Sequence, residues 1–118
     1  MELDFVDSNE LLANAQAENL YGKLVLQVKK DFGLANIPID LADTVSPGHL
    51  RVFMHEKIYF LIMEKFTDYL NLLYVVDVPE KSFNQIHVTD AVEVAEQVSL
   101  LVLKREFQKV WLKEKYSS

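Results

Sequence analysis

The sequence predicts an all-α fold: an up-down-up bundle of three long helices at about residues 8–32, 47–76 and 90–115, joined by one or two short helices and paired into a dimer. Three observations carry this reading. Apolar residues recur at i, i+3 and i+4 over three stretches of helical length. Each stretch opens on a residue suited to cap a helix N-terminus. The 118 residues include only 3 Gly and 3 Pro, whereas a β-rich chain needs turn residues roughly every 8–12 positions.

The first helix is expected to open at Asp7, with Glu10 at capping-box spacing and Val6 placed to staple onto Leu11. Ala17, Leu20, Leu24, Val28 and Phe32 then share one face, with Glu18, Asn19, Lys23, Gln27 and Lys30 on the other. Gly33 reads as a left-handed cap, with Leu34 as its trailing apolar contact. A connection follows, extended at Ile37–Pro38 and with a short helical turn at 40–44. Ser46–Pro47 gives a cap and a first-turn proline for the central helix. That helix holds most of the aromatic residues, and Leu50, Met54, Ile58, Leu61, Ile62, Leu72 and Leu73 form its core arc. Asp77 and Glu80 have cap spacing for a short helix at 79–85. Thr89 is the expected cap of the last helix, whose charge runs from acidic at its start to basic at its end, as the helix dipole favours.

The central and last helices carry more apolar surface than a three-helix core requires. Phe53, Phe60 and Tyr74, with Thr67 between the last two, follow a seven-residue spacing in a sector otherwise held by Glu56, Glu64 and Asn71. Surplus aromatic rows of this kind mark partner surfaces. A symmetric homodimer is the commonest partner arrangement, so these three residues are the expected interface.

Composition narrows the function classes. Half of the residues are apolar, which is too many for an intrinsically disordered chain. There is no Cys, hence no disulfide, thiol nucleophile or thiolate metal site. The opening MELDFVDSNE lacks the basic and apolar regions of a secretory signal, so the cytoplasm is the expected compartment. No window of about 18 apolar residues exists for a membrane span. The net charge of −6 disfavours nucleic acid.

Catalytic and metal motifs are sought and not completed. His55–Glu56 would begin a zinc-protease helix, but the required second His falls at Tyr59. Neither His49, His55 nor His87 follows a Glu by three residues, as a di-iron bundle demands. Glu93 and Glu96 have ligand spacing without companions. The isolated Gly22, Gly33 and Gly48 form no phosphate loop. The basic residues from Lys104 to Lys115 scatter around their helix, interrupted by Glu106 and Glu114, and read as a solvated face. No metal and no cofactor are therefore expected.

One polar row remains. Arg51, His55 and Tyr59, at i, i+4 and i+8, point into the mainly apolar arc of the central helix. Polar groups there need hydrogen-bond partners, which a ligand or the fold itself can supply. The expectation is a non-enzymatic, homodimeric protein–protein interaction module. The alternative is a small-molecule binding protein or enzyme with a pocket around Arg51, His55 and Tyr59.

Overall fold

A computed structural model describes residues 5–116. Among them every regular element is helical: α1 (Ser8–Ala17), α2 (Tyr21–Leu34), α3 (Pro47–Glu64), α4 (Phe66–Val76), a 3₁₀ helix (Glu80–Gln85) and α5 (Ala91–Tyr116). Apolar faces of the five α-helices converge on one core. It includes Leu11 of α1, Leu24, Val28 and Phe32 of α2, Leu50, Met54 and Ile58 of α3, Leu72 of α4, and Leu103 and Phe107 of α5, all fully buried. α5 packs on each of the other four α-helices, most extensively on α3. Among the described residues no helix is long and apolar enough to cross a membrane.

Two of the three expected long helices are divided. The first breaks between α1 and α2 at Asn19, which is left-handed at φ 58°. There Leu20 N–H bonds the Ala15 carbonyl at 2.8 Å and Asn19 N–H bonds that of Gln16 at 3.0 Å. This is a Schellman closure, in which the last free carbonyls of a helix are satisfied by the turning chain. The same device ends α2, at Asn36 (φ 61°), with Ile37 N–H on the Phe32 carbonyl at 3.0 Å. It recurs at Asp77 (φ 67°), where Val78 N–H reaches the Leu73 carbonyl at 3.2 Å and ends α4. In each case the next residue is apolar and turns inward: Leu20 and Ile37 are buried and Val78 half-buried. Asn and Asp tolerate this conformation better than other side-chain-bearing residues. The expected cap at Gly33 is thereby corrected. No glycine has positive φ, Gly33 lies inside α2, and the cap sits three residues later.

The central helix breaks at the single residue Lys65 (φ −140°, ψ 60°). Lys65 N–H still bonds the Leu61 carbonyl at 2.9 Å, and its own carbonyl accepts from Tyr69 at 3.0 Å, so hydrogen bonding passes through the joint. The buried row Leu50, Met54, Ile58, Leu61, Tyr69, Leu72 and Val76 keeps one helical phase on both sides.

The helix starts are mostly as expected. Asp7 Oδ1 accepts from Glu10 N–H at 2.9 Å, and Glu10 reaches back to Val6 N–H at 3.1 Å. Ser46 Oγ accepts from His49 N–H at 3.3 Å. The staple is not made: Val6 is 83% exposed, and Phe5 packs instead on Phe107, with ring centroids 6.1 Å apart. Asp90, not Thr89, caps α5 by accepting from Glu93 N–H at 3.1 Å. Asp77 closes α4 and does not open the 3₁₀ helix. The expected turn at 40–44 is a single bend closed by Val45 N–H on the Ala42 carbonyl at 3.1 Å. Tyr21 holds that bend to α2 through a 2.6 Å bond to the Val45 carbonyl. Burial pushes its phenol up to about 12.

Candidate functional site

Arg51, His55 and Tyr59 stand half-buried on α3, where the helix meets the first turns of α5. Glu96 of α5 joins them. Its Oε2 lies 3.2 Å from His55 Nδ1, and its Oε1 lies 3.8 Å from an Arg51 guanidinium nitrogen. His55 Nε2 is 3.0 Å from the Val92 carbonyl. A carbonyl oxygen only accepts, so Nε2 carries the proton in that bond. Arg51 and His55 thus tie α3 to α5 through groups of the protein itself. The hollow bordered by His55, Glu56, Tyr59 and Val92 measures about 230 Å³, below the roughly 300–1,000 Å³ typical of ligand clefts.

The three aromatic residues of the expected interface divide. Phe53 is half-buried and meets Phe32 of the core edge-on, with centroids 6.3 Å apart. Phe60 is 44% exposed and Tyr74 84% exposed. The same two helices expose more apolar residues than their spacing suggested. Phe66, Leu70 and Tyr74 form an exposed i, i+4, i+8 row on α4, and Val52, Phe60 and Met63 form another on α3. The cationic head of Lys57 lies 5.6 Å from the centre of the Phe60 ring.

A polar cluster that the sequence reading passed over lies between α2 and α5. Asp31 and Glu106 are both buried, and Lys109 stands beside the two of them. Lys109 Nζ is 2.7 Å from Asp31 Oδ2 and 3.6 Å from Glu106 Oε1. Gln27 Nε2 donates to Asp31 Oδ1 at 3.2 Å, and Gln27 Oε1 accepts from Lys113 Nζ at 2.8 Å. Neither Glu106 oxygen meets a conventional donor. Burial, then the Asp31 carboxylate beside it, drives the Glu106 carboxyl far above the usual carboxylate range. Burial alone would raise Asp31 too, but hydrogen bonds from Glu106, Lys109 and Gln27 outweigh it and hold Asp31 below its ordinary value. Both shifts favour a protonated Glu106 beside an ionised Asp31. A signal for it existed. Ser99, Val102, Leu103, Glu106, Phe107 and Val110 share the buried face of α5, so a carboxylate occupies a core position of the apolar repeat.

Among the described residues no three His, Asp or Glu side chains gather closely enough to hold a metal ion. The groove beside the cluster, about 340 Å³ between Lys23, Gln27, Lys30 and Lys113, is an open trough. No family model matches the chain, and neither a curated protein nor a solved structure matches it significantly.

Proposed function

We propose that the chain is a non-enzymatic helical interaction module that pairs with a second copy of itself. The observation that carries this reading is the exposed row Phe66–Leu70–Tyr74 on α4, continued by Val52, Phe60 and Met63 on α3. Exposed apolar rows of this kind are costly to leave in water and are characteristic of protein interfaces. A second copy is the favoured occupant because soluble oligomers are mostly closed homo-oligomers, two-fold dimers above all. In this reading α1–α2, α3–α4 and α5 are the three arms of an antiparallel up-down-up bundle, and the row runs along the outside of the central arm. The module acts in the cytoplasm without cofactor, nucleic acid or membrane. The acidic balance of −6 supports the absence of nucleic acid.

The alternative, a small-molecule site at Arg51, His55 and Tyr59, has less support. Glu96 and the Val92 carbonyl already face Arg51 and His55, and the hollow beside them is small.

Light scattering at high micromolar concentration tests the pairing. A dimer is expected, and Phe60→Glu with Tyr74→Glu converts it to a monomer. A clean wild-type monomer overturns the reading. A variant of unchanged mass and normal helicity rejects this face.

A further inference from the structure

The cluster around Glu106 holds two carboxyl groups and one ammonium. Asp31 of α2 and Lys109 of α5 are the charged groups acting on Glu106, and no charged group of α1, α3 or α4 is among them. α4 contributes a neutral acceptor, the Val75 carbonyl, 3.4 Å from Lys109 Nζ. Lys113 belongs to the outer edge, where it reaches Asp31 only through Gln27. Lys109 is committed to Asp31 at 2.7 Å, a charge-assisted bond, and is too far from Glu106 at 3.6 Å for a good one. One cation balances one carboxylate. A second buried carboxylate without donors would carry the full desolvation cost of its charge. A neutral Glu106 avoids that cost, and its O–H can donate to Asp31.

We propose that Asp31, Glu106 and Lys109 form a one-proton lock on the seam where α2, α4 and α5 meet. With the proton on Glu106, its carboxyl donates to Asp31, and Lys109 bridges Asp31 to the end of α4. When hydroxide takes that proton, the Glu106 O–H bond breaks, its electron pair stays on the carboxylate, and water is the product. The cluster then carries a net negative charge, Lys109 is drawn between two carboxylates and away from Val75, and the seam opens to hydrate them. The release lies on the alkaline side because burial and the neighbouring Asp31 both oppose ionisation of Glu106. α4 also bears Phe66, Leu70 and Tyr74, so an open seam loosens the helix used for pairing. Only this last link rests on the proposed self-association.

The test combines carbon NMR of the labelled Glu106 carboxyl with hydrogen exchange along α2, α4 and α5, on the whole chain at fixed concentration. The Glu106 carboxyl is expected to stay protonated at neutral pH. After correction for base-catalysed exchange, seam opening should increase about tenfold per pH unit between roughly pH 7.5 and 9.5, the slope for one released proton. Glu106→Gln removes that slope. Asp31→Asn leaves Lys109 to Glu106 alone and moves the Glu106 titration downward, which a merely space-filling carboxyl would not do. A Glu106 carboxyl already ionised at pH 7 overturns the lock, as does an equal slope in wild type and Glu106→Gln. Loss of dimer mass with these results intact would reject the pairing and leave the lock standing.

Discussion

Lys109 Nζ and Asp31 Oδ2 lie 2.7 Å apart, joining α5 to α2 across 78 residues of chain. Both groups sit in a site that admits little water, so the pair costs much to break and less to replace. Lys109→Met should lose about 3–5 kcal/mol, the usual penalty for leaving one partner of a buried pair alone. Replacing Asp31 and Lys109 together by apolar residues of similar volume should recover most of that loss. Urea midpoints of the two variants check this.

The pH dependence of stability has opposite signs at the two carboxyls. Asp31 is held below its ordinary value of 3.8. Its contribution is complete above that value and is lost as pH falls through the lower, folded-state one. Glu106 is raised from 4.5 to about 10. Its contribution is complete below 4.5 and declines as pH climbs toward 10, because the unfolded chain releases the proton first. Denaturation curves should show wild type weakening from neutral pH to pH 9 more steeply than Glu106→Gln, with the variant the more stable at the alkaline end. Asp31→Asn should lack the acid step.

The helix ends make a prediction in the reverse of the usual direction for glycine. Gly22 and Gly33 lie within α2 with open space where a Cβ would stand. Gly22→Ala and Gly33→Ala should each stabilise by up to about 1 kcal/mol, the full helix-interior difference being reduced in the terminal turns where both lie. Asn19 and Asn36 hold the left-handed positions. Asn36→Ala should cost about 1 kcal/mol, and Asn36→Gly should be neutral or mildly stabilising. Thermal melts of the four variants are sufficient.

Phe53 and Tyr74 separate folding from association. Phe53 meets Phe32 in the core, whereas Tyr74 is 84% exposed. Phe53→Ala should lower stability by about 2 kcal/mol, reduced from the fully buried value because the ring is half-buried, and leave the mass in solution unchanged. Tyr74→Glu should lower the mass and leave the monomer's melt nearly unaltered.

Much of the fold was legible where one residue type had one physical role. Asp7, Ser46 and the proline at 47 marked helix starts because unsatisfied N–H groups demand an acceptor there. The arc through Leu50, Met54, Ile58, Leu61 and Leu72 was legible because helical phase alone sets it. The break at Lys65 was not, since that phase runs through it unchanged and no Pro or Gly marks it. Asn19 was read as part of a polar face because it also fits one; only the buried Leu20 behind it reveals the turn. In the candidate site, the stacking of Arg51, His55 and Tyr59 followed from spacing, while their partner Glu96 depended on how α5 crosses α3. Gln27 and Asp31 were hidden for the same reason: a polar residue on the rim of an amphipathic face is exposed or buried according to its neighbour, and that neighbour lies on α5.

The position of α5 in the chain sets a schedule for folding during synthesis. α5 is the helix on which α1, α2, α3 and α4 all pack, and translation delivers it after the other four. A growing chain therefore carries Leu24, Phe32, Met54 and Leu72 without their α5 partners while Leu103 and Phe107 are still being added. The complete core forms only once Leu103 and Phe107 are available to it.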